Sequence, residues 1–305
     1  MKRCQIPAPL RSGDLLRVIA PSGALRELTA FQQGVEVWRQ RGYRVELTPG
    51  FDDRYGYLAG TDKHRRIQLE TALQDPNCRG ILCARGGWGG ARLLEKWSFP
   101  SVEPKWLIGF SDITSLLWAY AEQGISGVHA PLLTTIASEP DWTQARLFDW
   151  VEGRGLPILQ GNGWGMGKAS GLLLPANLTV ATHLLFTPWQ PDLTDVILAI
   201  EDVTEAPYRI DRMLTHWRTC GALAKIRGIA IGRFSQCDPP ANIPSFQVEE
   251  VLRDRLSDLG IPIVSGLPFG HDGENAALPV GIPVELDSNR GLLKFETHLN
   301  PLPHS

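Results

Sequence analysis

The sequence predicts an α/β protein that begins with a parallel β-sheet covered by helices and continues into a second domain. Through the first half of the chain, short apolar runs alternate with longer stretches of helical period, which is typical of such a sheet. A glycine-rich break then separates this half from a segment with further strands. The chain has 305 residues, of which 43% are hydrophobic, so it is long enough for a large core and two domains.

The first half contains five predicted strands and three predicted helices. The strands are, in order, residues 15–20, 43–47, 80–84, 106–108 and 126–130. The first helix has apolar residues every three or four positions from Leu28 to Trp38, and Gly42 sits where it would end. Thr61 is placed to cap the second helix, and the third helix runs to about Gly124.

The glycine-rich break from Arg154 to Gly167 contains Pro157 and a glycine at every second position from 161 to 167, which favours an interdomain linker. We therefore predict an amino-terminal domain at residues 1–153, a linker at 154–167 and a carboxy-terminal domain at 168–305. The predicted strands of the second domain are residues 196–200, 228–231, 261–265, 282–286 and 292–295. Its predicted helices lie near 208–220 and 245–259.

Charge and hydropathy argue against nucleic acid and membrane as partners. The 30 Lys and Arg residues against 33 Asp and Glu residues give a formal charge of −3, and no block of like charges offers a basic surface. The longest hydrophobic run, Leu116 to Ala121, is far shorter than the ~20 residues that span a bilayer. Prolines and charges after Lys2 and Arg3 interrupt any signal peptide, so we expect a cytoplasmic protein.

Two glycine-rich segments come close to nucleotide-binding motifs without matching them. A phosphate loop ending at Gly167-Lys168 requires glycine at position 162, where the chain has Asn162. The loop from Arg85 to Gly90 lacks the third glycine of Gly-x-Gly-x-x-Gly. This loop follows a parallel strand, so its backbone N–H groups suit an anion or an oxyanion, and a mobile surface turn is the alternative.

Ser111 lies between an apolar strand and an amphipathic helix, which is the setting that raises a nucleophile above a sheet edge. The N–H of the next residue then lies at the start of the helix, where it can bind an oxyanion. Ile113 stands where the hydrolase motif Gly-x-Ser-x-Gly requires glycine, so that motif is only half present. An ordinary helix cap at Ser111-Asp112 is the alternative interpretation.

A serine hydroxyl attacks an amide only when a base removes its proton, and histidine is the usual base. Among the seven histidines, His271 follows a strand and occupies an irregular loop, which favours a functional role. His129 ends a strand and is its rival. The others lie in helical stretches or in a polar tail and are His64, His183, His216, His298 and His304.

A third group, a carboxylate, is needed to orient the imidazole and to offset its positive charge. Glu201 ends the apolar strand at 196–200, which places its charge at a sheet edge, and Asp202 and Glu205 are alternatives. A metal site at His271-Asp272 with Glu274 has no His-Glu-x-x-His pattern to support it. The five cysteines are odd in number and lack Cys-x-x-Cys spacing, so we expect reduced thiols, no metal and no cofactor.

Four segments, taken together and in order along nearly the whole chain, resemble the LD-carboxypeptidase family. The family comprises the muramoyltetrapeptide carboxypeptidases, with the microcin-immunity peptidases as relatives. The segments are Arg85-Gly86-Gly87-Trp88-Gly89, Gly109-Phe110-Ser111-Asp112-Ile113-Thr114, Glu201-Asp202-Val203 with Pro207-Tyr208-Arg209-Ile210-Asp211-Arg212-Met213-Leu214, and Gly270-His271 with Leu278-Pro279-Val280-Gly281.

The resemblance implies a serine peptidase with a Ser-Glu-His triad split between two domains. The amino-terminal domain would be flavodoxin-like or Rossmann-like, and the carboxy-terminal domain a smaller, β-rich α/β domain. By position, Ser111 would be the nucleophile, His271 the general base and then acid, and Glu201 the orienting carboxylate. The N–H groups of Asp112 and of Gly86 or Gly87 would bind the oxyanion.

We therefore expect a carboxypeptidase that removes the terminal D-alanine of L,D-linked murein tetrapeptides in cell-wall recycling, and a homodimer is compatible with this activity. Arg85 is our candidate for binding the terminal carboxylate of the peptide. The alternatives are a microcin-immunity-type peptidase that cleaves a peptidyl-nucleotide antibiotic, and a non-catalytic muropeptide-binding protein. Trp88, Phe110 and Pro175-Ala176 depart from the usual family residues, which leaves the substrate preference open.

Overall fold

Five parallel strands form most of the first, six-stranded sheet in the computed structural model of the protein, which describes residues 1–296. They are β1 (Leu15–Ile19), β2 (Arg44–Leu47), β3 (Cys78–Cys83), β4 (Trp106–Gly109) and β5 (Val128–His129). Their order across the sheet is β2-β1-β3-β4-β5, which is the flavodoxin-like order. The predicted parallel-sheet fold of the first half is confirmed.

The helices of the first half pack on both faces of this sheet. They are α1 (Leu28–Gln40), α2 (Asp62–Gln74), α3 (Gly90–Leu93), α4 (Thr114–Glu122) and α5 (Asp141–Val151). The hydroxyl of Thr61 accepts a hydrogen bond from the N–H of His64, as expected for an N-cap. Helix α4 is buried from Thr114 to Ala121, because it lies between the two halves of the molecule rather than on a surface.

The second half is built on a mixed eight-stranded sheet. Its four central strands are parallel, and antiparallel strands flank them on both sides. The strands are β6 (Leu159–Gln160), β7 (Asn162–Gly163), β8 (Lys168–Asn177), β9 (Val196–Val203), β10 (Gly228–Ser235), β11 (Ile263–Ser265), β13 (Pro283–Asp287) and β14 (Leu292–Phe295), while β12 (Leu278–Pro279) pairs with β5 of the first sheet.

Three helices accompany the second sheet. They are α6 (Leu178–Leu184), α7 (Pro207–Thr219) and α8 (Val248–Leu256). Pro207 opens α7 at a position where its missing N–H costs nothing. Helix α8 is shorter than the predicted 245–259, because Gln247 and Glu250 form a capping box that fixes its start. His298 and His304, which the sequence assigns to a polar tail, lie outside the described residues.

The predicted linker at 154–167 is hydrogen-bonded into the second sheet over part of its length. Strand β6 pairs with β14, and β7 pairs with β11, so the segment contacts both edges of that sheet. The N–H of Gly161 donates to the carbonyl of Gly291 at 2.8 Å, and the N–H of Trp164 donates to that of Ile263 at 3.0 Å. The boundaries at 1–153, 154–167 and 168–305 remain our proposal.

Contacts between the two halves bring the carboxyl ends of their parallel strands together. The indole N–H of Trp118 on α4 donates to the carbonyl of Pro175 on β8 at 3.1 Å. The N–H of Asn177 donates to the hydroxyl of Thr114 at 2.9 Å. A cleft forms where these strands end. None of the helices within residues 1–296 has the length and hydropathy that a membrane span requires.

Candidate active site

Ser111 lies two residues after the end of β4, at the turn that leads into α4. Its φ angle is +65°, a left-handed conformation that is uncommon for residues other than glycine. Such backbone strain is found at functional turns, where the surrounding structure holds it in place. A short 3₁₀ turn over Ser111–Ile113 follows, so the next N–H groups lie at the start of a helix.

The glycine-rich loop after β3 packs against Ser111. A Cβ atom placed on Gly86 would lie 2.8 Å from both Cβ and Oγ of Ser111, and 3.6 Å from the N atom of Asp112. Any side chain at position 86 would therefore displace the serine. Gly87 has a φ angle of +110°, which residues with a side chain rarely adopt. The loop thus brings backbone close to the serine hydroxyl.

The side chain of Asp112 joins the serine turn to the glycine-rich loop. It is fully buried, and its Oδ2 accepts a hydrogen bond from the N–H of Gly90 at 2.7 Å. Burial raises the pKa of this carboxyl above its usual value. The sequence assigned a role only to the backbone N–H of Asp112, so this contact is a second contribution of the same residue.

His271 and Glu201 form a close pair across the second half of the molecule. The Nδ1 atom of His271 lies 2.6 Å from Oε2 of Glu201, with Glu201 fully buried and the side chain of His271 18% exposed. Burial by itself would lower the pKa of His271, but the charge and hydrogen bond of Glu201 outweigh it and hold the pKa above its usual value. Because a carboxylate only accepts, Nδ1 carries the proton and Nε2 is free to accept one.

Among the three candidate carboxylates, Glu201 is the one that contacts His271. Asp202 instead accepts hydrogen bonds from the N–H and hydroxyl of Thr179, at 2.8 and 2.7 Å. Burial raises the pKa of Asp202 to about 6. Glu205 pairs with Arg209 at 3.3 Å. Of the three carboxylates that the sequence left open, the geometry therefore selects Glu201 as the partner of His271.

Asn177 bridges the two buried carboxylates, a contact that sequence reasoning did not find. Its Nδ2 lies 3.3 Å from Oε1 of Glu201 and 3.1 Å from Oδ1 of Asp202, and its amide donates to both. The side-chain oxygen of Asn177 also caps α6 by accepting from the N–H of Val180. An Asn at the end of a strand and before a helix signals a cap, but nothing in the sequence pairs it with residues 201 and 202.

One cleft of about 680 Å³ contains Ser111 and His271 on its walls. Gly86, Gly87 and Phe110 also line it, and the Phe110 and His271 ring centres are 4.7 Å apart. Glu201 lies behind His271 and does not reach the cleft surface. The structure thus brings together the serine, the histidine and the glycine-rich loop that the sequence had placed far apart.

Arg85 lines the same cleft but already has partners within the protein. Its guanidinium donates to the carbonyl of Ala24 at 3.0 Å, and its Nε lies 3.4 Å from a carboxylate oxygen of Glu27. A ligand carboxylate at this position would compete with Glu27 for the guanidinium.

His129, the rival base, is fully buried behind Phe110, and neither of its ring nitrogens has a hydrogen-bond partner among residues 1–296. Burial lowers its pKa to about 4, so it is neutral at physiological pH. His129 does not line the cleft, whereas His183 does, from α6, with its Nδ1 donating to the carbonyl of Thr179.

The residues considered for a metal site point to other partners. Asp272 accepts a hydrogen bond from the hydroxyl of Ser235, and Glu274 pairs with Arg233 at 3.2 Å. Within residues 1–296, no group of three or more His, Cys, Asp or Glu side chains is placed to hold a metal ion.

The fold and the cleft define a class of two-domain α/β proteins, in which a serine at a strand-to-helix turn shares a cleft with a histidine that is paired to a buried carboxylate. The LD-carboxypeptidase N-terminal domain matches residues 16–130, and the LD-carboxypeptidase C-terminal domain matches residues 170–286. The chain therefore belongs to the LD-carboxypeptidase family, known as peptidase family S66, which indicates a peptide hydrolase. The resemblance predicted from the sequence is confirmed.

Individual relatives agree with this assignment. A Synechocystis sp. protein named "Putative carboxypeptidase" is 57% identical over 290 residues, which are 95% of this chain and 96% of that protein. The murein tetrapeptide carboxypeptidase of Pseudomonas aeruginosa is 30% identical over 298 residues, which are 90% and 93% of the two chains.

A solved structure shows the same fold at lower identity. It is that of the microcin C7 self-immunity protein MccF. The MccF sequence from Escherichia coli is 25% identical over 340 residues, which are 97% of this chain and 97% of that protein. Its structure in complex with aspartyl sulfamoyl adenosine has a TM-score of 0.88 and 22% identity, and covers 97% of this chain and 100% of that one. The likeness concerns the fold.

Proposed function

We propose that the protein is a serine carboxypeptidase that hydrolyses the L,D-amide bond before the terminal D-alanine of murein tetrapeptides. The observation that carries this proposal is the meeting of Ser111 and the His271–Glu201 pair at one cleft. The identity with the murein tetrapeptide carboxypeptidase of Pseudomonas aeruginosa supports the substrate. Such an activity would serve cell-wall recycling in the cytoplasm.

In the first step, Oγ of Ser111 attacks the carbonyl carbon of the scissile amide while Nε2 of His271 takes the hydroxyl proton. The hydrogen bond from Nδ1 to Glu201 fixes the tautomer that leaves Nε2 available. When His271 becomes positively charged, the buried carboxylate beside it stabilises that charge. The raised pKa of His271 is the equilibrium expression of the same interaction.

The tetrahedral intermediate carries a negative oxygen, which the backbone N–H groups of Asp112 and of Gly86 or Gly87 would bind. These donors are fixed before the reaction, so they stabilise the developing charge without reorganisation. Proton transfer from His271 to the amide nitrogen then releases D-alanine and leaves an ester on Ser111. A water molecule that His271 deprotonates hydrolyses the ester and regenerates the serine.

A carboxypeptidase must also hold the free carboxylate of the terminal residue at a fixed distance from the nucleophile. We assign this role to Arg85, because it lies on the cleft wall beside Gly86 and a guanidinium can bind a carboxylate through two parallel hydrogen bonds. The substrate carboxylate would replace Glu27 at the guanidinium. One additional residue would shift the scissile carbonyl by about 3.5 Å, out of reach of the oxyanion donors.

The test is to incubate the purified protein with a tetrapeptide ending in meso-diaminopimelate-D-alanine and with the pentapeptide ending in D-alanyl-D-alanine. We expect D-alanine release from the tetrapeptide alone, and none from either peptide with the Ser111→Ala variant. Release from the pentapeptide alone would refute the L,D specificity. Release from neither peptide would favour the peptidyl-nucleotide peptidase or the non-catalytic binding protein.

A further inference from the structure

A second cavity of about 620 Å³ lies between α6 and α7 and continues from the active-site cleft. Thr179, His183 and Glu205 line both spaces, so the two spaces adjoin. We refer to this cavity as the α6–α7 groove. It begins two residues after Asn177, whose amide contacts Glu201. The groove therefore lies beside the cleft that contains Ser111.

The exposed face of α7 gives the groove its chemical character. Tyr208, Arg212 and His216 are spaced four residues apart, which places their side chains in one row along the helix, and all three line the groove. His183 lies on the opposite wall, on α6. The groove thus combines the guanidinium groups of Arg209 and Arg212 with two imidazoles and a phenol, which can all donate hydrogen bonds to oxygen, and it also contains the carboxylate of Glu205.

Arg212 is the cation of the groove that the protein leaves unpaired within residues 1–296. Its neighbour Arg209 is paired with Glu205 at 3.3 Å and donates to the hydroxyl of Tyr208 at 3.1 Å. Arg212 makes no hydrogen bond or ion pair with any described residue, and its guanidinium lies 5.8 Å from the centre of the Tyr208 ring. The charge of Glu205 is therefore balanced by Arg209, and that of Arg212 is available to a ligand.

We propose that the α6–α7 groove binds an anionic group of the substrate, a carboxylate or a phosphate, on the acyl side of the cleaved bond. A guanidinium recognises these groups through paired hydrogen bonds. The leaving group of the proposed function is a single residue, too small to fill a second cavity of this size, so the groove accommodates the remainder of the substrate. The inference rests on the proposed function, and it assigns recognition of the anionic group of the stem peptide to Arg212 in the α6–α7 groove.

The first experiment compares peptides whose acyl-side carboxylates are free or amidated one at a time. We expect one amidation to raise KM by about tenfold, the loss of one charge-assisted contact, with kcat unchanged. Arg212→Gln should raise KM by the same factor for the peptide in which that carboxylate is free. For the peptide amidated at that carboxylate, Arg212→Gln should leave KM unchanged. Arg218→Gln is the matched control, because Arg218 lies on the same helix but binds Asp258. Equal losses for acid and amide in Arg212→Gln would overturn the proposal.

A second measurement does not depend on catalysis. Inorganic phosphate is titrated into the protein while the imidazole signals of His183 and His216 are followed by NMR. Saturable shifts in the wild type and in Arg218→Gln, weakened about tenfold in Arg212→Gln, would support an anion site even if no peptide is cleaved. Unchanged phosphate affinity in Arg212→Gln would overturn it.

The source of the anion is decided by a third comparison. If a nucleotide-linked stem peptide loses more affinity in Arg212→Gln than the free stem peptide does, the groove binds the phosphate. If only the free stem peptide loses affinity, the groove binds the carboxylate. Both affinities are measured in proteins that also carry Ser111→Ala, so that binding is observed without turnover.

Discussion

At the scale of single residues, the proposed mechanism has Ser111 and His271 act on the same proton, which would make their mutational effects non-additive. We predict that Ser111→Ala and His271→Ala each lower kcat by several orders of magnitude, and that the double variant is barely worse than either. Single-turnover kinetics with the tetrapeptide measures all three. Losses that multiply in the double variant would show that the two side chains work independently.

In the proposed mechanism, Glu201 sets the pH dependence of the reaction through His271. The base must be neutral to act, so kcat/KM rises with pH through the pKa of His271. Because Glu201 raises that pKa, we predict that Glu201→Gln moves the acidic limb of the pH profile to lower pH and also lowers the plateau, as the imidazolium loses its countercharge. If Glu205→Gln instead shifts the limb while Glu201→Gln leaves it unchanged, the assignment of the carboxylate is wrong.

At the scale of elements, the loop that carries His271 is wrapped around a single arginine of β10. Both the N–H and the guanidinium of Arg233 contact this loop: the N–H donates to the carbonyl of Phe269 at 2.8 Å, and Nη1 donates to the carbonyls of Asp272 and Glu274 at 2.8 and 2.6 Å. Gly270 has a φ angle of +139°, and a Cβ there would lie 3.0 Å from Cβ of Arg233. Only a glycine lets the chain turn this closely around the side chain.

We predict that Arg233→Met lowers kcat by about tenfold to a hundredfold with little change in KM, because His271 is misplaced while the cleft remains. Steady-state kinetics checks this, and urea unfolding shows whether the variant is folded. Arg227→Met is the control, since Arg227 precedes the same strand but is exposed and pairs with Asp195. A loss of unfolding free energy without any change in kcat would mean that Arg233 has only a structural role.

At the scale of the whole molecule, the candidate active site depends on the contact between the two halves of the chain. Ser111 follows a strand of the first sheet, and Glu201 lies on β9 of the second. The hydrogen bond from the N–H of Asn177 to Thr114 holds the end of β8 against the start of α4, and β12 extends the second half of the chain into the first sheet. Neither half contains the complete set of proposed reacting groups.

The mechanism derived from these groups stabilises the oxyanion with backbone N–H donors rather than with a Lewis acid. We therefore predict that exhaustive EDTA treatment followed by dialysis leaves kcat and KM for the tetrapeptide unchanged. The assay is repeated after addition of zinc and of magnesium as a control. Activity that disappears with EDTA and returns only with zinc would contradict the serine mechanism.

Local sequence patterns determined much of the fold. The apolar runs of β1 and β14 and the helical period of α1 and α7 predict those elements to within a few residues, because each buries one face or both faces along its own length. The ten-residue strand β8 and the short helix α6 were not predicted. Their stability comes from neighbours distant in sequence, namely β9 and β13 beside β8, and α4 and α7 beside α6.

The candidate site likewise has some features that the sequence predicts and others that only the tertiary structure decides. The strand-to-helix setting of Ser111 and the glycine-rich loop are local features, so the sequence by itself placed them at a sheet edge. Which carboxylate meets His271 was decided only by tertiary structure, because Glu201 is 70 residues away in the chain and its neighbours Asp202 and Glu205 point to other partners. Residues that act through such distant contacts, like Asn177 and Arg233, carry no local signal, since hydrogen bonds between separate strands depend on how the sheets pack and not on sequence period.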